Sequence, residues 1–178
     1  MVSLAPFTNR AKIKKLNAMK TVKEIMYGAP KYCAKNESLL NVVKEFSKAN
    51  IGSLPVVDSD KKVVGIITHR DVCTALGKTN KPFGELKVAE AMTPEAYSCQ
   101  PEDNTQTALK IMRTKKVRRL PVVDKEGRLR GLLSLNSIVR NVVGKEKTEL
   151  EYAGEENIVK TLRAIAEKKH EHAEAFVL

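Results

Sequence analysis

Apolar positions recur in two registers along the chain. Leu39, Val42, Val43 and Phe46 fall at i, i+3, i+4 and i+7. That spacing predicts a helix with one apolar stripe, and Ser38 ahead of it is a good N-cap. A short run from Leu54 to Val57 has the β-branched content of a buried strand. Asp58-Ser59-Asp60-Lys61 is a turn signal, and a second apolar run follows from Val63 to Ile67. Two adjacent strands joined by a short turn read as a hairpin. Residues Asp71 to Leu76 read as a second helix. The series then returns: Asn104 before Thr105, Ala108, Leu109 and Met112; Leu120 to Val123; the turn Asp124-Lys125-Glu126-Gly127; Leu129 to Leu133; and Ser137 to Val143.

The return is in strict register. Val22-Lys23-Glu24-Ile25-Met26 comes back as Val88-Ala89-Glu90-Ala91-Met92, and Leu54-Pro55-Val56-Val57-Asp58 as Leu120-Pro121-Val122-Val123-Asp124. Gly65-Ile66-Ile67-Thr68 comes back as Gly131-Leu132-Leu133-Ser134, and Cys33 as Cys99, all without a gap. The predicted fold class is therefore α+β, built from two β-α-β-β-α units. One unit is too small to bury its own sheet, so the two should pack face to face. The expected divisions are a basic N-terminal extension over 1–20, a first unit over 21–79, a second over 80–144, and a linker with a C-terminal helix over 145–178. Ile13, Leu16 and Met19 suit a short amphipathic helix laid on this body, though a basic arm reaching nucleic acid or an acidic partner fits the same residues. A C-terminal helix is expected from about Glu155 to Glu174, with Ile158, Leu162, Ile165 and Ala166 on one face.

Composition narrows the function. Of 178 residues, 42% are hydrophobic, enough for a core. No apolar run approaches the roughly 18–20 residues that span a bilayer, and residues 1–20 hold no continuous apolar core, so a signal peptide is not expected. Three scattered cysteines (Cys33, Cys73, Cys99) suit a reducing, cytoplasmic compartment better than a disulfide scaffold. Net charge is +11, and residues 1–20 carry five basic groups and no acid. A basic body attracts phosphates, on a nucleotide, a nucleic acid or an anionic surface. Nucleic acid is the less favoured partner, because four Phe, four Tyr and no Trp leave few stacking surfaces. No spacing ties a nucleophile to a base and an acid, so catalysis is not expected. Gly77-Lys78-Thr79 imitates a P-loop, but Val72 stands where its first glycine belongs. His170 and His172, spaced i, i+2, would point to different sides of a helix, so a metal site is not expected there.

The order Val-x-Glu-x-Met, Leu-Pro-Val-Val-Asp, Gly-φ-φ-Thr/Ser-x-x-Asp, with φ an apolar residue, resembles the CBS domain, over about residues 21–144. A tandem pair resembles a Bateman module. That resemblance implies a pseudo-symmetric pair with adenosine-containing ligands in the clefts between the units. It also implies regulation of another protein without catalysis or a catalytic cofactor, and a homodimer formed through the helices.

Gly65-Ile66-Ile67-Thr68-His69-Arg70-Asp71 puts Thr68 at a strand end and Asp71 on the first turn of a helix. An Asp carboxylate can accept hydrogen bonds from both ribose hydroxyls, and a Thr hydroxyl at a helix start suits a ribose or phosphate oxygen. The same pair can instead simply cap the helix. Arg118 and Arg119 end a basic run and lead straight into a strand; their repeat equivalents are Gly52 and Ser53. They resemble the phosphate-binding basic pair of the family's nucleotide-sensing members, in which ribose and phosphate contacts come from different units. Carried over, Thr68 and Asp71 would join Arg118 and Arg119, with Asn136 nearby. Ile66 and the backbone at Ala96 and Tyr97 would hold the adenine. In the second unit Ser134 matches Thr68 but Ser137 replaces Asp71. A second cleft with Ser53, Ser134 and Ser137 is therefore expected to bind weakly, stay empty or select differently. Two arginines favour AMP, ADP or ATP over S-adenosylmethionine, the alternative ligand of the family.

Overall fold

A computed structural model describes residues 20–142, 156–162 and 164–165. The N-terminal segment 1–19 and the linker from 143 to 155 lie outside the described residues.

Two hairpins form the centre of the molecule. β2 (Ser53–Val57) pairs antiparallel with β3 (Val63–Thr68), from Ser53↔Thr68 to Val57↔Val63, with a register shift between Val56 and Val57. β5 (Arg119–Val123) and β6 (Leu129–Ser134) repeat this from Arg119↔Ser134 to Val123↔Leu129, with the matching shift. Each turn is organised by an aspartate. Asp58 Oδ1 accepts from the N–H groups of Asp60 and Lys62 at 2.9 and 2.8 Å, and Asp124 Oδ1 from those of Glu126 and Arg128 at 3.1 and 2.8 Å. Lys61 and Gly127, equivalent in the repeat, both take positive φ there.

The helices follow the expected caps. α2 (Leu39–Ala49) begins at Ser38, whose hydroxyl accepts from Leu40 N–H, and α5 (Thr105–Lys115) at Asn104, which accepts from Thr107 N–H. Their apolar faces are buried at Leu39, Val42 and Phe46, and at Thr105, Ala108, Leu109 and Met112. α3 (His69–Leu76) and α6 (Leu135–Val142) follow β3 and β6 directly.

The units exchange their leading segments. β1 (Cys33–Ala34) lies parallel to β2, but the other neighbour of β3 is β4 (Thr93–Pro94), which comes from the start of the second repeat. Reciprocally, Tyr27 pairs with Leu132 of β6, both N–H groups donating at 3.0 Å. The single-turn helices α1 (Val22–Ile25) and α4 (Val88–Ala91) cross over in the same way. Val22 and Ile25 sit in one core with Leu120, Val122 and Leu133; Val88 sits in the other with Leu54, Val56 and Ile67. Repeat periodicity marks these segments as apolar but is silent about which unit buries them. The crossing explains the glycine in each β3-type strand. A Cβ on Gly65 would lie 2.7 Å from the carbonyl oxygen of Thr93, and one on Gly131 would strike Met26 Sδ.

The pseudo-twofold axis is visible in the backbone. Lys62 and Arg128, equivalent in the repeat, form an antiparallel bridge with each other. Val63 N–H donates to Gly127 O at 3.0 Å and Leu129 N–H to Lys61 O at 2.9 Å. Equivalent residues can bridge one another in this way only where the axis passes between them.

Residues 156–162 and 164–165 are helical, and Ile158, Thr161 and Ile165 are buried, the two isoleucines in the second unit's core. The expected face is corrected at one position: Leu162 is 44% exposed and Thr161 is buried in its place. The Thr161 hydroxyl donates to Asn157 O at 2.7 Å, which satisfies it in an apolar setting. Ala166 and the rest of the expected helix lie outside the described residues. Among the described residues, no helix is long and apolar enough to cross a membrane.

Candidate functional site

A cavity of about 580 Å³ opens between the two units, within the roughly 300–1,000 Å³ common for small-molecule sites. One wall is the start of α6: Ser134, Asn136, Ser137 and Arg140. A second is the segment at Tyr27, Pro30 and Lys31. Gly52, Ser53, Arg118 and Arg119 lie between them at the starts of β2 and β5. Among the described residues, no carboxylate lines this cavity.

The hydroxyls of Ser134 and Ser137 are 2.8 Å apart, and Ser137 N–H donates to Ser134 Oγ at 3.0 Å. Ser53 is only 2% exposed and lines the cavity. Arg119 is half-buried and forms no ion pair within the described residues. Burial and the adjacent Arg118 guanidinium both push its pKa down, so an anionic guest would relieve a strained charge. It lies beside Gly52: a Cβ there would stand in ordinary van der Waals contact, 3.4 Å from Arg119 Nη2 and 3.5 Å from His69 Nδ1. The guanidinium thus lies against the first unit next to His69, which opens α3 and rests edge-on against Phe46, with ring centroids 4.4 Å apart.

Thr68 and Asp71 form a reciprocal cap on α3. Asp71 Oδ2 accepts from Thr68 N–H at 2.8 Å and from Thr68 Oγ1 at 2.7 Å, while Asp71 N–H donates weakly to Thr68 Oγ1 at 3.4 Å. Capping therefore occupies one carboxylate oxygen, and Oδ1 accepts nothing from the described residues. The cavity gathers Ser53, Ser134 and Ser137, expected for the second cleft, together with Arg118, Arg119 and Asn136, expected beside Thr68 and Asp71. Ile66, Thr68, Asp71, Ala96 and Tyr97 do not line it. The Tyr97 ring carries Lys115 Nζ 4.8 Å from its centroid.

The sequence reading did not single out Tyr27, Lys31 or Arg140 as cavity residues. Arg140 had a signal: it stands three residues after Ser137, on the same helix face, at the repeat position of Thr74. Lys31 is equivalent to Tyr97, so its place followed from the same register. Lys31 Nζ meets Glu45 at 3.5 Å. Arg130 is committed elsewhere, to Asp124 at 2.9 Å. Among the described residues no cluster of His, Cys, Asp and Glu could hold a metal ion.

Relatives agree with this architecture. Inosine-5′-monophosphate dehydrogenase of Methanocaldococcus jannaschii is 40% identical over 101 residues, covering 57% of this chain but 18% of that enzyme. A second such dehydrogenase, from Aquifex aeolicus, is matched over 19% of its length. Each match is thus confined to under a fifth of the relative. The CBS domain pair of protein MJ0100, solved with 5′-methylthioadenosine and S-adenosyl-L-methionine, superposes with a TM-score of 0.63 at 29% identity, over 72% of this chain and 99% of that one. CBSX2 in complex with AMP superposes with a TM-score of 0.62 at 25% identity, over 69% and 96%. The CBS domain model matches residues 22–78 and again 88–144. Two matched copies, joined by reciprocal exchange about one axis, make this chain a member of the CBS domain family, carrying a tandem pair.

Proposed function

We propose that the chain is a regulatory module that binds an adenine nucleotide between its two repeats and passes occupancy to a partner protein through conformation or assembly, as a homodimer. The observation that carries this reading is Arg119: a half-buried cation without an acidic partner among the described residues, beside a second cation, in a cavity of nucleotide size. AMP in CBSX2, and methylthioadenosine with S-adenosylmethionine in MJ0100, support an adenosine ligand. The arginine pair favours one with phosphate. The cavity seats it, with the phosphate on Arg118 and Arg119 and the sugar toward Asn136, Ser137 and Ser134.

A second seat has its own support. Arg119 also lies beside His69 at the start of α3, and Asp71 Oδ1 is uncommitted. There Asp71 and Thr68 take the ribose, and Ile66 with the backbone at Ala96 and Tyr97 takes the base. In either seat the nucleotide bridges the two units, so it shifts their arrangement by no more than its difference in affinity between arrangements.

A thermal-shift panel of AMP, ADP, ATP, S-adenosylmethionine and methylthioadenosine tests the reading on wild type, Arg119→Ala, Asp71→Asn and Ser137→Ala. A nucleotide should raise the wild-type Tm in a dose-dependent way, and Arg119→Ala should reduce that shift. Sensitivity to Ser137→Ala assigns the cavity, and sensitivity to Asp71→Asn the second seat. The absence of any shift on wild type, or full retention in Arg119→Ala, overturns the reading.

A further inference from the structure

The cavity and its pseudo-symmetric counterpart differ in charge at equivalent positions. Around α3 the counterpart offers Asp71, Thr74 and Tyr97; around α6 the cavity offers Ser137, Arg140 and Lys31. An acid has become neutral, and two neutral residues have become basic, while Arg118 and Arg119 line the same space. Every ionisable group that does so, tyrosine apart, is a cation.

This pattern has a chemical meaning. A carboxylate facing a sugar accepts hydrogen bonds from free ribose hydroxyls and repels a phosphate placed on them. Replacing it by a small neutral donor, with an arginine beside it, reverses that choice; nucleotide-binding folds separate 2′-hydroxyl from 2′-phosphate ligands by the same exchange. Ser137 and Arg140 are three residues apart on α6 and share a face, so an anion at the Ser137 hydroxyl is within reach of the Arg140 guanidinium. The Ser137 hydroxyl lies 2.8 Å from the Ser134 hydroxyl and the Ser137 N–H donates to Ser134 Oγ, and Ser53, 2% exposed, adds a further neutral hydroxyl to the lining. Lys31 is partly engaged by Glu45 at 3.5 Å, so Arg140 is the principal new cation.

We propose that this cavity selects a nucleotide phosphorylated at both ends of its sugar, on the 5′ oxygen and on the 2′ or 3′ oxygen. Arg118 and Arg119 take the 5′-phosphate, and Ser137 with Arg140 takes the phosphate on the ribose. This rests on the adenine-nucleotide reading above and adds the ligand class that the Ser137 side of the module recognises.

Calorimetric titration with AMP, adenosine 2′,5′-bisphosphate and adenosine 3′,5′-bisphosphate tests it on wild type, Arg140→Gln and Ser137→Asp, with pyrophosphate as competitor. One of the two bisphosphates should bind wild type at least tenfold more tightly than AMP, and which one identifies the phosphorylated oxygen. Arg140→Gln should weaken that bisphosphate at least tenfold more than it weakens AMP. Ser137→Asp restores the cap seen at Thr68 and Asp71 and should reverse the preference in favour of AMP. AMP binding as tightly as both bisphosphates, or equal losses for AMP and bisphosphate in Arg140→Gln, overturns the proposal while leaving the adenine-nucleotide reading standing. Pyrophosphate competing as well as the bisphosphate also overturns it, because the cavity would then read charge without the sugar. Absence of binding by all three nucleotides would instead sink the underlying reading.

Discussion

Ile25 precedes every strand of the first repeat, yet its side chain belongs to the core of the second. It is 6% exposed and clusters with Leu120, Val122, Leu133 and Ile138. Its segment is tied there by backbone bonds from Val22 N–H to Asp103 O at 2.8 Å and from Lys23 N–H to Pro101 O at 2.9 Å. Ile25→Ala removes three buried carbons. At about 0.8 kcal/mol for each buried methylene the transfer loss is about 2.4 kcal/mol, and the cavity left behind raises it to about 3 kcal/mol. With a urea m-value of about 2 kcal/mol/M, the midpoint should fall by about 1.5 M. Leu40→Ala, at a position on α2 that is 37% exposed, should move it by less than about 0.5 M. Circular dichroism reads the midpoint, and native-state hydrogen exchange reads where the loss falls. Amides of β5 and β6 should lose protection at least as strongly as those of β2 and β3. A midpoint shift no larger than that of Leu40→Ala would refute the crossed-segment reasoning, as would protection loss confined to β2 and β3.

Gly65→Ala should cost about 2 kcal/mol and lower Tm by roughly 4–8 °C, because its Cβ meets a backbone oxygen at 2.7 Å; Gly28→Ala, with nothing within 4 Å, should leave Tm nearly unchanged, and equal effects would refute the packing argument. Burial first, with Glu37 or Asp103 adding to it, pushes the thiols of Cys33 and Cys99 up to about 12, whereas Cys73 is exposed. Thiol titration at neutral pH should therefore count one reactive group in the native protein and three in denaturant, and rapid native labelling of Cys33 or Cys99 would contradict it. Glu24 is held below the usual carboxylate range by the Thr21 N–H and then the Thr21 hydroxyl, and Glu90 by Lys81 and then the Lys87 N–H. Depressed folded pKa values mean that the unfolded chain takes up more protons as pH falls, so this stabilisation is present above about pH 4.5 and is lost below it. The Glu24→Gln, Glu90→Gln double variant should lose less Tm between pH 6 and pH 3 than wild type, and an equal or larger loss would refute the assignment.

The hairpins and the longer helices were legible because each carries a local signal. Asp58 and Asp124 organise turns by bonding their own backbone, and Ser38 and Asn104 cap helices whose apolar stripes leave one choice of buried face. The crossing of Val22–Ile25 and Val88–Ala91 was not legible. Apolar spacing says that a residue is buried, and a repeat offers two equivalent places to bury it. The C-terminal helix was misphased at one residue because Thr161 reads as polar until its hydroxyl is turned back onto Asn157 O. At the site, residue chemistry was legible and direction was not. The side chain of Arg119 lies beside Gly52 and His69 of the other unit, a pairwise fact invisible along one strand. Arg140 and Lys31 stand out only as mismatches to Thr74 and Tyr97, and a mismatch carries no local signal of the cavity that it faces.

A nucleotide phosphate meeting Arg119 between the two repeats is the contact on which the proposed function rests. Calorimetric titration of AMP into wild type and Arg119→Met tests it most directly, since methionine keeps most of the side chain's apolar bulk and removes its charge. The account predicts saturable binding to wild type and at least a tenfold weaker Kd in the variant, the loss of one charge-assisted contact of about 1.5 kcal/mol or more. Equal affinity for AMP in the two proteins would contradict it.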